Sequence, residues 1–427
     1  EDNIRHFYIE PKFHFSFYGF ECLQPLPGQA MYPFFVLLGL CAVAVGLGLF
    51  YRTSSILLCL GLTYVFLLDR VNYVNHDYLF CLIALFMVFM PAPRAVSLDA
   101  RRRPAIRSDR APALTLWLLR AQLGIPYFFG GLAKLESDWL RAIPMRIMLE
   151  NSSHPLLSMS WFPTNAAAWF ISYFGLIFDL AVVPLLLWKL TRPYALALAI
   201  LFHLTNAWLF DIEMFPWFMI PATLVFLPPE WPRKLLARLR SRQASSAARG
   251  AASTPSLPPV SDIRKKWTAA LFTLYLAVQV LVPMRYWVYP GNPNWTWECQ
   301  RFNWRMMLHV KESSVQFVAL DRSTGRTWVV EPRLFLTSTQ AHFLAKDPDL
   351  MHQFAVFLAR GLRESQGIDV EIHVRSRASL NGRPPQPLID PKVDLASEPR
   401  ALGPASWIVP LEASAHDAPT DGAPAER

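Results

Sequence analysis

The stretch Pro112–Arg141, PALTLWLLRAQLGIPYFFGGLAKLESDWLR, decides how the chain is organised. It begins with about 20 mostly apolar residues, which is the length that a helix needs to cross the hydrocarbon core of a bilayer. It ends in aromatic residues, the pair Gly130 and Gly131, and then Lys134. This order is typical of the boundary between hydrocarbon and water. The stretch therefore predicts a membrane-spanning helix.

Arg120 lies inside this apolar run, and Asp179 is the only acidic residue of a second apolar run, 167–188. A charged side chain at the centre of a membrane costs roughly 2.5–3.5 kcal/mol on translocon scales. The two residues lie at similar distances from the inner ends of their predicted helices. We therefore expect Arg120 and Asp179 to form a structural ion pair inside the bundle.

The composition favours a membrane protein. The 427 residues are 53% hydrophobic and 14% aromatic, whereas soluble domains average about 45–50% apolar residues. The net charge of +9 could suit a nucleic-acid partner, but the basic residues concentrate in two loops, 94–110 and 233–266. Basic loops mark the cytoplasmic side of a membrane. The positive net charge is therefore explained without a nucleic-acid partner.

Further apolar segments predict a multi-span α-helical membrane bundle over residues 31–284. About eight segments are apolar, several of them short for an upright span: 31–50, 54–68, 77–92, 112–133, 167–188, 194–210, 213–228 and 267–284. If both basic loops lie inside, alternation places everything after residue 285 outside. The chain starts at Glu1 without a methionine, and we expect 1–30 to be an outer-side segment that follows a missing N-terminal span.

Beyond the bundle, residues 285–413 have the pattern of an extracytoplasmic, β-rich α+β domain. Apolar runs on either side of DRSTG, 321–325, predict a β-hairpin. Residues 339–365 are predicted to be helical and 369–375 to form a strand. Two segments rich in small and polar residues are predicted to be disordered: an inner-side linker, 243–260, and the tail, 414–427.

Lys134 follows Tyr127, Phe128 and Phe129 at the predicted outer end of its helix. One interpretation is a snorkelling lysine that marks the membrane surface. The other is that these aromatic rings desolvate the side chain. Desolvation lowers the pKa of a lysine, and a neutral lysine is a usable base. Lys134 is thus either an interface anchor or a catalytic base.

Two histidines are candidates for a site near Lys134. His76, next to Asn75, lies in a short loop between apolar segments, close to the outer membrane face. His203 and Asn206 lie inside a predicted span at positions i and i+3, so they face the same way on a helix. A loop histidine is commonly a surface residue and an intramembrane one a packing residue, and both interpretations stay open here.

The segment 294–309, NWTWECQRFNWRMMLH, directly follows the last apolar run on the outer side. Aromatic and methionine clusters usually belong to a core. This one is also placed to cover a site at the membrane surface with Met306, Met307 and His309. Its sequon, Asn294-Trp-Thr, would accept a glycan only in a secretory compartment.

Several motifs are absent from the sequence. It has no glycine-rich phosphate loop, no HExxH and no biotin-type lysine, and its five cysteines form no CxxC pair. We therefore expect no ATP, biotin or metal site and no disulfide framework.

The chain resembles the vitamin K-dependent γ-glutamyl carboxylase family, whose membrane part is the HTTM domain. The resemblance covers nearly the whole chain and is strongest in blocks such as YVFLLDRVNYVNHDYL, LRAQLGIPYFFGGLAKLESDW, FHLTNAWLFDIEMFPW, PEWPRKL and NWTWECQRFNWRMMLHV. It implies that Lys134 is the catalytic base and that His76 shares its site. The candidate cofactor-binding residues are Asn75, His203, Asn206, Met306, Met307 and His309.

The resemblance also implies a reaction. Vitamin K hydroquinone, deprotonated by the lysine, reacts with O2 to become an epoxide and removes a γ-proton from a peptide glutamate, and CO2 then captures the carbanion. Only one ordinary base is needed, and neither metal, ATP nor biotin. The expected partners are a glutamate-containing peptide or protein, membrane lipids and an enzyme like vitamin K epoxide reductase.

Two alternatives remain: a quinol epoxidase that carboxylates no peptide, and a non-enzymatic HTTM membrane protein. The chain is shorter than the animal enzymes and has Ala133 where they have a second lysine, which leaves the peptide-docking surface open. Its Ala/Arg/Pro-rich linkers favour a bacterial source. We expect an integral protein of the bacterial cytoplasmic membrane with the C-terminal domain outside, or of the endoplasmic reticulum membrane if the source is eukaryotic.

Overall fold

The computed structural model describes residues 2–108, 110–152, 154, 163–210, 212–241 and 262–412. The predicted linker 243–260 and tail 414–427 lie outside these residues. Within them, a helical region is followed by a small antiparallel sheet with further helices. The predicted fold class, a multi-span helical bundle followed by an α+β domain, is confirmed.

The helical region contains, in the described part of the chain, α1 (Met31–Leu47), α2 (Tyr51–Leu68), α3 (Asn75–Phe89), α4 (Leu98–Arg102), α5 (Ala113–Ala133), α6 (Ser137–Leu140), α7 (Ile143–Glu150), α8 (Thr164–Leu187), α9 (Arg192–Leu209), α10 (Phe215–Thr223), α11 (Trp231–Ser241) and α12 (Asp262–Met284). Every apolar segment predicted from the sequence coincides with one of these helices. Four described helices are long and apolar enough to cross a membrane: Gly28–Leu47, Tyr51–Leu68, Thr164–Leu187 and Lys266–Trp287. The chain is therefore a membrane protein.

Helices α5 and α8 pack closely because α5 ends in small residues. A Cβ atom on Gly131 would lie 2.7 Å from Leu180 Cδ2 and 3.2 Å from Asp179 Cβ. The first separation is shorter than real contacts and the second is tight, so a side chain here would force Leu180 or the two helices to shift. Small residues bring membrane helices into close contact in this way. The Gly130–Gly131 pair thus sets the distance between α5 and α8.

The region after α12 contains α13 (Pro293–Thr296), β1 (Lys311–Asp321), β2 (Thr327–Val330), α14 (Ser338–Leu344), α15 (Pro348–Gln366), β3 (Val370–Leu380) and β4 (Gln386–Pro387). The sheet has the order β2-β1-β3-β4, and all its pairs are antiparallel. Phe317 of β1 pairs with both Val330 of β2 and Val374 of β3. The predicted hairpin around DRSTG and the predicted strand at 369–375 are both present.

The predicted helix over 339–365 is divided into α14 and α15. Asp347 caps the second helix by accepting a hydrogen bond from the backbone N–H of Asp349. Pro348 follows as its first residue, where the missing N–H of proline costs nothing. The Asp-Pro pair therefore ends one helix and starts the next.

The N-terminal segment packs into the core of the sheet domain. Phe15 is fully buried in the same core as Phe317 and Phe354, and Val71 from the loop between α2 and α3 joins them. The backbone N–H of Ser16 donates to the Oε1 of Gln353 at 2.9 Å. Contacts between residues that are distant in sequence thus join the sheet domain to the N-terminal segment and to the loop between α2 and α3.

A buried ion pair also joins the helical region to the sheet domain. Asp138 of α6 accepts hydrogen bonds from Arg383 Nη1 at 2.7 Å and Nη2 at 2.9 Å, in a two-pronged geometry. Asn381 Nδ2 donates to the same carboxylate at 2.6 Å. Bidentate arginine–carboxylate pairs are strong and directional, so this contact anchors the loop that follows Lys134.

Candidate active site

A cavity of about 720 Å³ lies between the outer parts of α5, α8 and α9 and the segment that precedes β1. All the predicted catalytic and cofactor-binding residues line it: Lys134, His76, Asn75, His203, Asn206, Met306, Met307 and His309. They come from four separate parts of the sequence. The structure thus brings the predicted residues together, while their chemical roles stay predictions.

Lys134 directly follows α5 as its C-terminal cap residue and is 8% exposed. Its Nζ lies 2.6 Å from Asp179 Oδ2 and donates to the carbonyl oxygen of Gly130 at 3.3 Å. It also lies 5.3 Å from the centre of the Trp139 ring. The side chain therefore turns back along its own helix and meets a carboxylate of α8.

The predicted aromatic surroundings of Lys134 are only partly present. Phe128 points away from the bundle and is 54% exposed. The hydroxyl of Tyr127 binds His203 Nε2 at 2.7 Å. The ammonium group also lies over the ring of Trp139, which comes after the lysine in sequence. The expectation that Phe128 helps to desolvate Lys134 is therefore wrong.

The predicted Arg120–Asp179 ion pair is wrong. Arg120 donates instead to the carbonyl oxygens of Val225 at 3.0 Å and Leu227 at 3.0 Å. The cause is a stagger between helices, because Asp179 lies level with Gly131 of α5. At 1.5 Å per residue, Arg120 is about 16 Å further along α5. Counting depth from the helix ends missed this offset.

The two histidines line the cavity from different helices, His203 from α9 and His76 from the start of α3. His203 is buried in α9, with its Nε2 occupied by the hydroxyl of Tyr127. His76 Nε2 lies 3.3 Å from Glu213 Oε2. Asn75 accepts a hydrogen bond from the hydroxyl of Tyr73 at 3.0 Å. The two imidazole rings are thus oriented by Tyr127 and Glu213 rather than by Lys134.

Residues 297–309, which we call the strap, form the outer wall of the cavity. Trp304 is buried in the helical core, and its ring stacks on Tyr78 at 5.2 Å. Trp297 Nε1 donates to His309 Nε2 at 3.1 Å, which leaves the ring proton of neutral His309 on Nδ1. Burial and the nearby cations Lys311 and Arg305 lower the pKa of His309 to about 3. His309 is therefore neutral at physiological pH.

The cavity opens sideways between α8 and α9. Phe170 of α8 and Leu201 of α9 line it, yet they are 67% and 60% exposed. Apolar side chains on the surface of a membrane bundle face lipid rather than water. A ligand with a long apolar chain could thus occupy the cavity with its chain among the lipids.

Two family models match the chain. The HTTM domain matches residues 1–231, which is more than half of the chain, and the vitamin K-dependent gamma-carboxylase lumenal domain matches residues 264–414. The chain belongs to the vitamin K-dependent gamma-carboxylase family. No solved protein structure was found to match it.

The two matches divide this carboxylase-family chain where the structure changes from bundle to sheet domain. The HTTM match contains Lys134, Asp179 and His203, and the lumenal-domain match contains the strap. The cavity therefore lies between the two family domains, and each supplies one of its walls. Together the domains point to a membrane-bound gamma-carboxylase.

Sequence reasoning missed several residues of this carboxylase-family site. Asp179 was assigned to the wrong partner, and Glu136, Arg301 and Arg305 were not singled out. Arg301 and Arg305 line the cavity, and Glu136 binds Arg305 Nη2 at 3.0 Å. One feature of the sequence could have indicated Glu136: the segment LESDW directly after Lys134 contains two acidic residues, which a membrane span does not explain.

The sequon at Asn294 is not available to a glycan. Asn294 is 1% exposed, and its Nδ2 donates to both carboxylate oxygens of Glu136, at 3.1 Å and 2.9 Å. N-glycosylation requires a free amide on a surface loop. In this member of the family the Asn294 side chain therefore holds Glu136, which binds Arg305 in the wall of the cavity.

Proposed function

We propose that this protein carboxylates glutamate residues of a peptide at the γ-carbon, with vitamin K hydroquinone as the cofactor and O2 and CO2 as co-substrates. One observation carries the proposal. A single cavity has a lysine–carboxylate pair on its membrane side, arginine and histidine on its outer side, and an opening to lipid.

The cavity suits the size and polarity of the cofactor. Sites for small molecules commonly measure about 300–1,000 Å³ and are lined mainly by apolar side chains. The volume here is about 720 Å³, and the lining includes Phe174, Phe202 and Phe215. A quinol ring fits such a wall, and the opening at Phe170 and Leu201 gives its apolar tail a path into the bilayer.

Lys134 and Asp179 would remove the phenolic proton together. Transfer of a proton from Lys134 Nζ to Asp179 Oδ2 gives a neutral amine and a carboxylic acid. The pair is neutral before and after this transfer, so no new charge is buried. The free amine can then accept the phenolic proton, which leaves an ammonium group beside the oxygen that lost it.

When bound, the hydroquinone would react with O2 and supply a base strong enough to remove a γ-proton from glutamate. The protein itself needs only the ordinary base of Lys134 for this scheme. His203 and Tyr127, joined at 2.7 Å, would orient the ring on the far side. The scheme uses no metal, ATP or biotin.

The outer wall would bind the substrate glutamate. Arg301 Nε, Arg305 Nε and His309 Nδ1 are buried and have no hydrogen-bond partner within the described residues. All three side chains line the cavity. A buried donor without a partner calls for an explanation, and a bound ligand or water would supply one. Two guanidinium groups and one imidazole N–H match a carboxylate.

We place the peptide on the outer side of the membrane, where the sheet domain would lie. In a bacterium this is the outside of the cytoplasmic membrane, and in a eukaryote it is the lumen of the endoplasmic reticulum. Because the cofactor would leave as an epoxide, a reductase of the vitamin K epoxide type is the partner that would regenerate it.

The test uses purified protein in lipid nanodiscs with reduced vitamin K, labelled CO2 and a glutamate-containing peptide. We expect vitamin K epoxide and labelled peptide to form together. Epoxide without labelled peptide, over a panel of glutamate peptides, would favour a quinol epoxidase. Formation of neither product by well-folded protein would refute the proposal.

A further inference from the structure

The strap is strained. Five of its non-glycine residues have positive φ angles: Trp297 (57°), Cys299 (56°), Phe302 (63°), Trp304 (60°) and Met307 (54°). A left-handed conformation costs a residue with a side chain about 1–2 kcal/mol. Such residues persist only where their surroundings hold them, and they concentrate at functional sites. Contacts from outside the strap must therefore fix its shape.

Glu136 makes one of these contacts. Its Oε2 accepts from Arg305 Nη2 at 3.0 Å, and Asn294 Nδ2 donates to both of its oxygens. Arg305 Nη2 also donates to Asn294 Oδ1 at 2.9 Å, so the three side chains form a closed ring. The side chain of Arg305 is 3% exposed. Burial raises the pKa of Glu136, and Arg305 and Asn294 act against this rise.

Glu136 is also tied to the base. It is two residues after Lys134 and immediately precedes helix α6, which begins at Ser137. Arg305 lies between Trp304, which is buried in the helical core, and Met306, which lines the cavity. A carboxylate at position 136 thus joins the end of the lysine's helix to the middle of the strap.

We propose that Glu136 is a positioning residue that holds the strap over Lys134 and thereby couples the two halves of the reaction. This rests on the proposed function. Proton removal from the cofactor depends on the ion pair of Lys134 and Asp179. The ion pair of Glu136 with Arg305 of the strap is a separate one. Capture of the γ-carbanion depends on where Arg305 and His309 hold the glutamate. Loss of Glu136 should therefore affect carboxylation more than epoxidation.

Asp138 provides a matched control on the same loop. Asp138 is buried, as Arg305 is, and it binds Arg383 and Asn381 of the sheet domain. Among the described residues it is not part of the cavity lining, and the hydrogen bonds given above join it to the sheet domain. If Glu136 serves only to dock the two domains, Asp138→Asn and Glu136→Ala should behave alike.

The experiment measures epoxide and labelled peptide in parallel for wild type, Glu136→Ala, Glu136→Gln and Asp138→Asn in nanodiscs. A small displacement of a reacting group can cost on the order of a hundredfold in rate, and we expect Glu136→Ala to raise the epoxide-to-carboxylation ratio by about tenfold. Glu136→Gln keeps one acceptor oxygen and should give a smaller rise. Asp138→Asn should keep the wild-type ratio.

Amide hydrogen exchange of the same proteins tests the contact without any activity. Residues 297–309 should exchange faster in Glu136→Ala and not in Asp138→Asn. An unchanged ratio together with unchanged exchange of the strap would overturn the inference, as would equal changes in both variants. A wild-type protein that forms neither product would refute the proposed function alone, because the exchange result still decides whether Glu136 holds the strap.

Discussion

Two lysines of the described chain are buried, and they are held by different partners. In sequence, one precedes the strap and the other follows it. Lys134, which is 8% exposed, meets the carboxylate of Asp179 at 2.6 Å and lines the cavity. Lys311, which is 4% exposed, donates to the carbonyl oxygens of Trp295 and Lys346 and lies 5.5 Å from the ring of Trp295. Burial lowers the pKa of Lys311 to about 7.

The comparison of the two lysines shows that burial alone does not make a lysine a candidate base. Both lysines are buried beside an aromatic ring, Lys134 near Trp139 and Lys311 near Trp295. Lys311 does not line the cavity, so no substrate there can reach its amine. Lys134 has a carboxylate that can take its proton and a cavity next to it. Access to the cavity, rather than loss of solvent, distinguishes the candidate base.

The largest effect is expected for Lys134→Arg. Arginine can keep the ion pair with Asp179, so the bundle should fold, but a guanidinium group does not give up its proton near neutral pH. Loss of a general base commonly costs about 10²–10⁴-fold in rate, and epoxide formation should fall by this amount. Lys311→Arg is the control in the other region. Equal losses in both variants would remove the distinction between the two lysines.

Asp179→Asn should have the next largest effect. The amide cannot accept the proton of Lys134, and we expect epoxidation to fall by about 10²-fold, at the lower end of the range for proton-transfer groups. Removing one partner of a buried ion pair also destabilises a protein, by about 3–5 kcal/mol. Thermal unfolding should therefore be measured on the same samples. Full epoxidation in Asp179→Asn would show that Lys134 works without this carboxylate.

Gly131→Ala tests the helix contact that brings Lys134 to Asp179. The added methyl group would lie 2.7 Å from Leu180 Cδ2, and overpacking of this kind costs about 1–3 kcal/mol. We expect a lower melting temperature and slower epoxidation. Gly39→Ala is the control, because a Cβ there would meet nothing within 4 Å. Equal melting temperatures for the two variants would contradict the proposed role of the glycine.

The smallest effect on activity is expected for Lys311→Met, which should instead change how stability depends on pH. The pKa of Lys311 is about 7 in the folded protein and 10.5 by its ordinary value. Between these values the unfolded chain binds more protons, so this lysine makes stability rise with pH from about 7 to about 10.5. Methionine should remove that rise. A difference in melting temperature between the two proteins that does not vary with pH would contradict this account.

Much of the fold could be predicted from local patterns. Apolar runs predicted the helices, and the alternation around DRSTG predicted the hairpin. Local patterns failed where a contact joins distant residues. The stagger of α5 and α8 decides that Asp179 meets Lys134 rather than Arg120, and no residue count along a single helix contains that offset. Likewise, the contact between Glu136 and Arg305 depends on how the sheet domain sits on the bundle.

The most direct test of the central claim is chemical rescue of Lys134→Ala. In the purified variant, epoxide formation from reduced vitamin K should be lost, and a small primary amine added to the buffer should restore part of it, more at higher pH as the free amine increases. Lys311→Ala should need no such rescue. If well-folded Lys134→Ala forms epoxide at the wild-type rate without added amine, Lys134 is an anchor at the membrane surface and not the base.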